Sequence, residues 1–352
     1  MEMESMKKGN VVSMMLVAAM SVTLALSGCS SAKSSTQSSS GSKDLVIYTA
    51  LQQDDMSWIT QQFKKDTGIN ISYMLFSAGD LETKIQSQMS NPQADVMLGG
   101  SVEYYEDLDP KGAFVKYTSP NAKSLKSEFK DSKGYFQGWY LGVLSIFYNT
   151  EQFNKILAPE GLKPPTTWDD LLDARYKKQF VTSNPSTAGG GYIFVADQLF
   201  RLGNDKGWTY LQNLNKNVDH YTKGADDPIS LVATGQFVAG MSWAHDVLKT
   251  EKQGYPIKVV VPPETAYEIG GVAAIKNAKN TANAKKFIDW LLTKPVQQKN
   301  TSVSNRYSVL TSVAAPQGMI PMAQVKLVNY DRQKATEEKS SVIAQFNTMI
   351  GQ

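Results

Sequence analysis

Short apolar runs alternate with amphipathic runs along most of the chain. Residues 44–49 form a compact apolar run typical of a strand, and residues 56–67 have apolar side chains at helical spacing. Residues 69–76, 77–89 and 94–98 continue the pattern as strand, helix and strand. This βαβαβ order predicts a parallel sheet with right-handed crossovers.

The alternation continues through the rest of the chain with less regular spacing. Further strands are predicted at 141–148, 180–182, 235–242, 257–261 and 270–275. One helix is predicted to start at 167–171, two more to occupy 192–202 and 207–213, and another to end near 252. The chain after 282 is predicted to be mainly helical. The alternation of strands and helices favours layered α/β structure. The sequence has no visible internal repeat.

The length of 352 residues exceeds that of one ordinary domain and predicts two lobes. The long β runs near 139–148 and 257–275 are where the chain can cross between lobes. We therefore predict an α/β protein in which each lobe is a mixed, mostly parallel sheet flanked by helices, with crossing strands as the hinge. The predicted lobes comprise residues 44–140 with 266–312, and residues 141–265 with 313–352.

Residues 1–28 have the pattern of a secretory signal. Two lysines precede a mostly apolar run at 11–26, which is shorter than the roughly 20 residues that a membrane span requires. The stretch 26–29 resembles the bacterial lipobox, which implies cleavage before Cys29 and acylation of that residue. The alternative is an uncleaved anchor helix in which the cysteine is incidental.

Residues 29–43 form a Ser-rich segment that is nearly free of large apolar side chains. Such a segment cannot bury enough surface to offset its ordering entropy, so we expect a flexible tether. The folded body should then start near Asp44. With a lipid anchor at Cys29, the protein is predicted to lie on the extracellular face of the bacterial cell membrane.

Charge balance and cysteine content exclude several classes of protein. The 36 basic and 33 acidic residues give a net charge of +3 without a long basic run, which is not the footprint of a nucleic-acid-binding protein. One cysteine cannot form an internal disulfide or a Cys-rich zinc or iron–sulfur site. We therefore expect no nucleic-acid partner, no metal and no cofactor.

The sequence also lacks common catalytic motifs. It contains neither a Gly-x-Ser-x-Gly elbow nor a His-Glu-x-x-His motif, and it has only two histidines. Adjacent His245 and Asp246 do not make a catalytic triad, because a nucleophile must be supplied elsewhere. We predict that the protein is not an enzyme, with a tethered hydrolase as the alternative.

Three segments place small or hydroxylated residues where a predicted helix begins. The N-terminus of a helix has unpaired N–H groups and a partial positive charge, so it can bind an anion without a lysine. Ordinary helix capping is the alternative for each segment, and none has the Gly-Lys-Ser/Thr ending of a nucleotide P-loop. The candidate ligand-binding residues are Ser77, Gly79, Gly100, Ser101, Ser186, Thr187 and Ala188, with Thr49 at the end of the first strand.

Two acidic residues restrict the ligand further. Asp246 and Glu268 would repel a bare anion, so they fit only a ligand that also brings donors, such as sugar hydroxyls or an ammonium. His245 could then donate or accept a hydrogen bond. The alternative is that His245 caps the following helix while Asp246 faces solvent.

The aromatic residues near these segments are Tyr48, Trp139 and Trp243. Most aromatic residues in such runs belong to the core, so we assign a ligand-packing role to at most one of them and take Trp243 as the candidate. The second histidine, His220, follows Asp219 in a polar stretch and is predicted to lie on the surface.

Five motifs, in order along the chain, resemble those of the bacterial type 2 extracellular solute-binding proteins. They lie at 63–69, 91–96, 148–150, 165–171 and 183–192. The resemblance runs across almost all of the folded body. It implies two hinged lobes that close around a small ligand, and a monomer that docks onto an ABC permease and its ATPase.

Within this family, the chain is similar to a subgroup of ferric-ion, phosphonate and hexose-phosphate receptors. Ferric receptors have adjacent tyrosines in the segment that is 240–247 here, whereas this chain has His245 and Asp246. The only adjacent tyrosines, Tyr104 and Tyr105, fall on a predicted helix, with one expected to pack and the other to be half-exposed. The His-Asp pair and the downstream segment 267–270 resemble the hexose-phosphate receptors more closely.

The resemblance leaves several points open. A ferric ion, a phosphonate or another small anion is the alternative cargo to a sugar phosphate, and a ligand-sensing partnership with a membrane kinase is an alternative role. Arg306 lies in a family segment near 305–309 and either reaches a phosphate or pairs with a carboxylate at the hinge.

Overall fold

The computed structural model of the protein describes residues 42–351. The predicted signal segment, Cys29 and nearly all of the Ser-rich tether lie outside these residues. Within residues 42–351, no helix is both long and apolar enough to cross a membrane.

Ten strands in the described part of the chain form one mixed sheet. Its path runs β2-β1-β3-β9-β4-β7-β5-β6, and β8 and β10 also pair with β4. The strands are β1 (Asp44–Thr49), β2 (Asn70–Leu75), β3 (Val96–Ser101), β4 (Gln137–Asn149), β5 (Phe180–Ser183), β6 (Val218–Thr222), β7 (Ala239–Trp243), β8 (Ile257–Val260), β9 (Tyr267–Ala274) and β10 (Tyr307–Ser308).

Eleven α-helices in residues 42–351 flank this sheet. They are α1 (Gln53–Thr67), α2 (Ala78–Ser87), α3 (Val102–Leu108), α4 (Thr150–Ile156), α5 (Gly189–Leu202), α6 (Asn204–Asn215), α7 (Asp227–Ala233), α8 (Ala244–Lys252), α9 (Thr281–Leu291), α10 (Lys294–Ser304) and α11 (Arg332–Ile350). The α/β class predicted from the alternating pattern is confirmed.

The predicted βαβαβ opening is present. Strand β1 pairs in parallel with both β2 and β3, while β9 runs antiparallel to β3 and makes the sheet mixed. Helix α1 ends at Gly68, whose φ of 74° is the left-handed conformation that glycine adopts most easily. The end of the helical run predicted at residue 67 is therefore confirmed.

Strand β4 joins the two main hydrophobic cores. Its first half pairs with β9, and its second half pairs with β7 and β8. Buried apolar residues up to Val143, and again from Ile269, belong to the first core, whereas those from Leu144 to Ala266 belong mainly to the second. Polar residues that follow these strands are thus brought to the junction of the two cores.

The C-terminal part of the chain contacts both cores. Val325 packs with the first core, although the predicted boundary put all residues after 312 in the second lobe. Helix α11 then contributes Val342 and Phe346 to the second core. The lobe boundaries themselves stay a prediction.

Two predicted helical regions differ from the structure. The expected helix at 167–171 is only a 3-10 turn over Asp169–Leu172, because the backbone leaves the helical conformation at Asp173, where ψ is 128° and the side chain caps the next turn by accepting the N–H of Arg175. The region after 282 is interrupted beyond α10, where Asn305 has a positive φ of 53°. Only α11 continues the helical pattern afterwards.

Candidate functional site

A cavity of about 770 Å³ lies at the junction of the two cores. Its walls come from the ends of β3, β7 and β9 and from the first turns of α2, α5 and α8. Eight of the twelve predicted ligand-binding residues line it, namely Ser77, Gly100, Ser101, Ala188, Trp243, His245, Asp246 and Glu268. The predicted residues at helix starts and the predicted acidic residues therefore line the same cavity.

The other four predicted residues lie off the cavity wall because their polar groups bind the protein itself. Thr49 is fully buried, and its hydroxyl accepts the N–H of Leu51. Gly79 N–H donates to the Thr187 carbonyl at 3.1 Å. The remaining two side chains bond elsewhere: Ser186 Oγ donates to Asn347 Oδ1, and Thr187 Oγ1 donates to the Lys223 carbonyl.

His245 and Asp246 lie in the first turn of α8 and are almost completely buried, with 2% and 5% of their surface exposed. The alternative that Asp246 faces solvent is wrong. Trp243, not His245, occupies the N-cap position of α8. His245 Nε2 lies 3.3 Å from Asp246 Oδ2, but without hydrogen-bond alignment.

Burial and nearby charges set the protonation of this pair. Burial lowers the pKa of His245, which favours the neutral imidazole. Burial alone would raise the pKa of Asp246, but the close approach of the His245 ring and the positive charges of Arg306 and Lys249 outweigh burial and hold the net pKa below its usual value. The cavity therefore presents an ionised carboxylate beside a neutral ring that can donate and accept.

Arg306 pairs with carboxylates, which answers the question left open by the sequence. Its Nη1 lies 2.6 Å from Asp55 Oδ2 on α1, and its Nη2 lies 3.7 Å from Asp246 Oδ1 on α8. The guanidinium also lies over the Tyr140 ring, 4.9 Å from its centroid. Arg306 thus bridges elements on both sides of the cavity and lines it.

Glu268 projects from β9 opposite Gly142 of β4. A Cβ atom added at Gly142 would lie 2.9 Å from both Glu268 Oε1 and His245 Nδ1, so glycine is what lets the two side chains approach each other. Burial raises the pKa of Glu268 to about 8, although Arg306 and a hydrogen bond from Tyr140 oppose the rise. At neutral pH, a mostly protonated Glu268 can both donate and accept.

Four buried polar atoms on the cavity wall lack a hydrogen-bond partner among the described residues. They are Nδ1 and Nε2 of His245, Oδ1 of Asp246 and Nε of Arg306. Buried polar groups are normally satisfied, because an unsatisfied one costs about 1–3 kcal/mol. The set includes both donors and acceptors, and so suits a polar ligand with hydroxyl groups.

Two helix N-termini also meet at the cavity wall. Ser77 caps α2 by accepting the N–H of Asp80, whereas Ala188 at the start of α5 gives that helix no side-chain cap within residues 42–351. Gly189 lies against Ala78, so the two helix starts are in contact. Since the first amides of α5 have no intrahelical acceptor, they can bind an anion.

Of the three aromatic candidates, only Trp243 lines the cavity. Its ring is parallel to that of His245, with an interplanar angle of 10°. Trp139 is fully buried and Tyr48 packs on Phe76. Tyr140 lines the cavity instead, because neighbouring residues of a strand face opposite sides. The prediction missed Tyr140, and a strict period of two through Gly142 could have found it.

Tyr104 and Tyr105 are both buried, so the expectation that one of them is half-exposed is wrong. The Tyr105 hydroxyl donates to the Gly99 and Gly271 carbonyls, and Lys339 lies over the Tyr104 ring. Burial raises the pKa of both hydroxyls well above the usual value. Neither tyrosine presents a phenolate to the cavity. The exposed position predicted for His220 is confirmed.

Comparison with known proteins gives a consistent family. The model of the bacterial extracellular solute-binding proteins matches residues 58–326. An uncharacterized protein of Haemophilus influenzae is 31% identical over 335 residues, 92% of each chain. The putative 2-aminoethylphosphonate-binding periplasmic protein of Salmonella typhimurium is 24% identical and covers 74% of this chain and 77% of its own length.

A solved structure is also similar along nearly the whole folded body. The periplasmic binding protein AfuA from Actinobacillus pleuropneumoniae, with exogenous fructose-6-phosphate bound, has a TM-score of 0.83 and 29% identity, and covers 88% of this chain and 99% of its own. The chain therefore belongs to the bacterial extracellular solute-binding proteins and has the type 2 periplasmic-binding-protein fold. It is a solute-binding protein of the ABC importer family, whose named members are transport proteins rather than enzymes.

Proposed function

We propose that the protein is the membrane-tethered receptor of an ABC importer and that it captures a phosphorylated sugar, such as a hexose phosphate, in the cavity. It acts as a monomer, without cofactor or catalysis, and delivers the ligand to a permease driven by an ATPase. The fructose-6-phosphate bound by AfuA supports this class of cargo, since AfuA is similar over 88% of the chain. Acylated Cys29 and the Ser-rich segment would keep the receptor at the membrane.

The unsatisfied atoms of His245, Asp246 and Arg306 are the observation on which the proposal depends. A phosphate alone offers few or no donors at neutral pH, so it cannot satisfy an ionised carboxylate. A sugar ring brings hydroxyls that both donate to Asp246 and accept from Arg306 or His245. Trp243 adds an apolar surface on which a sugar face can pack.

The phosphate group of the ligand is assigned to the start of α5. Ala188 and Gly189 line the cavity there, at the helix terminus with the favourable dipole. With the phosphate on the amides of α5 and the sugar hydroxyls on the carboxylates, the ligand would bind in one orientation. This arrangement also explains how a cavity with several acidic residues can accept an anion.

Contacts across the cavity would favour a closed form around the ligand. Lys223 Nζ lies 2.8 Å from Asp80 Oδ2, and Lys249 Nζ lies 2.9 Å from Asp54 Oδ2. The acidic residue of each pair lies on a helix that packs on the first core, Asp80 on α2 and Asp54 on α1, whereas Lys223 follows β6 and Lys249 lies on α8. Closure about β4 and β9 would let each side contribute part of the site.

Calorimetry with glucose 6-phosphate, glucose and inorganic phosphate tests the proposal. Glucose 6-phosphate should bind, and His245→Ala or Asp246→Ala should weaken it at least tenfold, about 1.4 kcal/mol or more. His220→Ala is the matched control, because His220 is exposed and contacts Asp219 away from the cavity. Absence of heat with every sugar phosphate tried would overturn the proposal.

Two competing cargoes give different outcomes in the same system. A phosphonate that carries an amine would also suit Asp246 and Glu268, and calorimetry with 2-aminoethylphosphonate would then exceed the signal from glucose 6-phosphate. Ferric ion would give a coloured tyrosinate complex, which the buried, hydrogen-bonded Tyr105 hydroxyl disfavours. Mass spectrometry of small molecules released from freshly purified protein would identify the cargo directly.

A further inference from the structure

Ser101 stands at the start of α3 but does not cap it. A serine at this position usually accepts an N–H bond from the first turn of the helix, yet within the described residues its side chain accepts none. Instead, the Ser101 hydroxyl donates to Glu103 Oε2. Its hydrogen is thus directed away from the cavity that Ser101 lines.

Glu103 is held as an acceptor by Arg332 at the start of α11. Arg332 Nη1 donates to Glu103 Oε1 at 2.5 Å, and Glu103 is fully buried. A carboxylate paired with a guanidinium is ionised and can only accept hydrogen bonds. Ser101 must therefore remain the donor in this pair, and only its oxygen lone pairs are available to a ligand.

Arg332 also supports the neighbouring strand. Its Nη2 donates to the Tyr267 carbonyl at 3.3 Å, and the guanidinium lies 5.2 Å from the centre of the Tyr267 ring. Tyr267 precedes Glu268, and Ser101 lies opposite Gly270 in the β3–β9 pair. One arginine outside the cavity therefore fixes both strands from which Ser101 and Glu268 project.

We propose that Glu103 and Arg332 are a positioning pair, which fixes the Ser101 hydroxyl as a hydrogen-bond acceptor and so makes Ser101 select a hydroxyl group of the ligand over its phosphate. The inference rests on the proposed function, because it assigns one hydroxyl of the sugar phosphate to Ser101. Neither Glu103 nor Arg332 touches the ligand. A phosphate dianion has no hydrogen to donate to Ser101 and is excluded from this position.

The variant Glu103→Gln reverses the polarity at Ser101 with little change in shape. Its amide oxygen would face Arg332, so its NH₂ group would donate to Ser101 and turn the hydroxyl hydrogen toward the cavity. We expect glucose 6-phosphate to bind at least tenfold more weakly. Ser101→Ala removes the acceptor outright and should weaken binding similarly, while the Glu103–Arg332 ion pair itself remains.

Monodeoxy analogues of glucose 6-phosphate separate positioning from a general structural role. One analogue should bind wild-type protein about tenfold more weakly than the parent, because it lacks the hydroxyl that donates to Ser101. That difference should vanish in Ser101→Ala and in Glu103→Gln. A merely structural defect would weaken all analogues by the same factor and leave the difference in place.

Lys339→Gln is the matched control. Lys339 also holds α11, through Glu82 and Asp107, but does not contact Ser101 or Glu103. In this variant the deoxy analogue should still bind about tenfold more weakly than glucose 6-phosphate, even if the thermal unfolding temperature falls. If that difference in affinity persists in a folded Glu103→Gln or Ser101→Ala protein, the positioning role alone is overturned. If wild-type protein binds no sugar phosphate, the proposed function is overturned as well.

Discussion

Arg306 Nη1 lies 2.6 Å from Asp55 Oδ2, and both side chains are almost completely buried. Asp246 faces the other side of the guanidinium at 3.7 Å. Burial alone would disfavour the charged arginine, but Asp55 and Asp246 outweigh that cost and raise the pKa of Arg306. The charge of the arginine is thereby balanced within the protein, which is why we propose the helix terminus of α5, rather than Arg306, as the site of the phosphate.

Removal of Asp55 should destabilise the protein strongly. Asp55→Ala leaves a buried guanidinium with only the more distant Asp246, and a broken buried pair typically costs 3–5 kcal/mol. Urea unfolding should show a lower midpoint with an unchanged slope. Lys126→Ala is the control, since the Lys126–Glu128 pair is solvent-exposed and its loss should cost less than about 1 kcal/mol. Equal effects of the two substitutions would contradict the role given to Asp55.

The stability of the ligand-free protein should fall as pH rises from 6.5 to 8. Burial raises the pKa of Glu268 to about 8, so the folded protein keeps a proton that the unfolded chain has already released. The folded state then binds more protons than the unfolded state, and the free energy of unfolding decreases with pH. His245, whose folded pKa is lowered, opposes this trend mainly below about pH 7, where the unfolded imidazole still binds a proton.

Urea unfolding at several pH values measures this effect. The expected loss from Glu268 is about 1–2 kcal/mol across the window, with a smaller part from Glu106, whose pKa burial raises to about 7. Glu268→Gln should flatten the pH profile. Glu128→Gln, at an exposed position, should leave it unchanged. A wild-type profile that rises with pH in this window would show that Glu268 is ionised in the fold.

Local sequence patterns predicted much of the fold and part of the site. The first βαβαβ unit follows from strand and helix periodicity, and the stop at Gly68 follows from its freedom to adopt positive φ. Ser77 and Ala188 could be assigned to helix starts for the same reason, since capping depends only on nearby residues. These features require no knowledge of the tertiary structure.

Partners that are distant in sequence could not be predicted in this way. Arg306 and Asp55 are 251 residues apart, and no local pattern identifies one as the partner of the other. The contact between Arg332 and Glu103 spans 229 residues and depends on how α11 packs between the two cores. Thr49 and Thr187 were predicted to bind the ligand, but their hydroxyls bind the backbone instead. A hydroxyl at the end of a strand or the start of a helix can do either, and the local sequence does not distinguish the two.

Cys29→Ala tests the proposed anchor. Without the acylated cysteine, the receptor should appear in the culture medium rather than in the membrane fraction. Immunoblots of the two fractions measure the distribution, and Ser31→Ala in the adjacent Ser-rich segment is the control that should remain on membranes. Full membrane retention of the Cys29 variant would favour the alternative of an uncleaved anchor helix.

Lys223→Gln should weaken ligand binding without removing any group from the cavity wall. The Lys223–Asp80 contact would favour the closed form, and the hydrogen bond to Lys223 is the main reason that the pKa of Asp80 is lowered. Both side chains are largely exposed, so a two- to fivefold rise in Kd is expected, and added salt should reduce it. Lys178→Gln, which breaks an exposed pair with Asp219, should leave Kd unchanged.

Gly142→Ala should abolish binding while the protein still folds. The added Cβ would lie 2.6 Å from His245 Cε1 and 2.9 Å from Glu268 Oε1, closer than carbon and oxygen atoms normally approach. Both side chains must then move from the positions in which we propose that they contact the ligand. Gly161→Ala is the control: its φ of 79° makes alanine unfavourable by about 1 kcal/mol, but no atom lies within 4 Å of the new methyl group. Calorimetry should show no binding by the first variant and unchanged binding by the second, and intact affinity in Gly142→Ala would exclude His245 and Glu268 as joint ligand contacts.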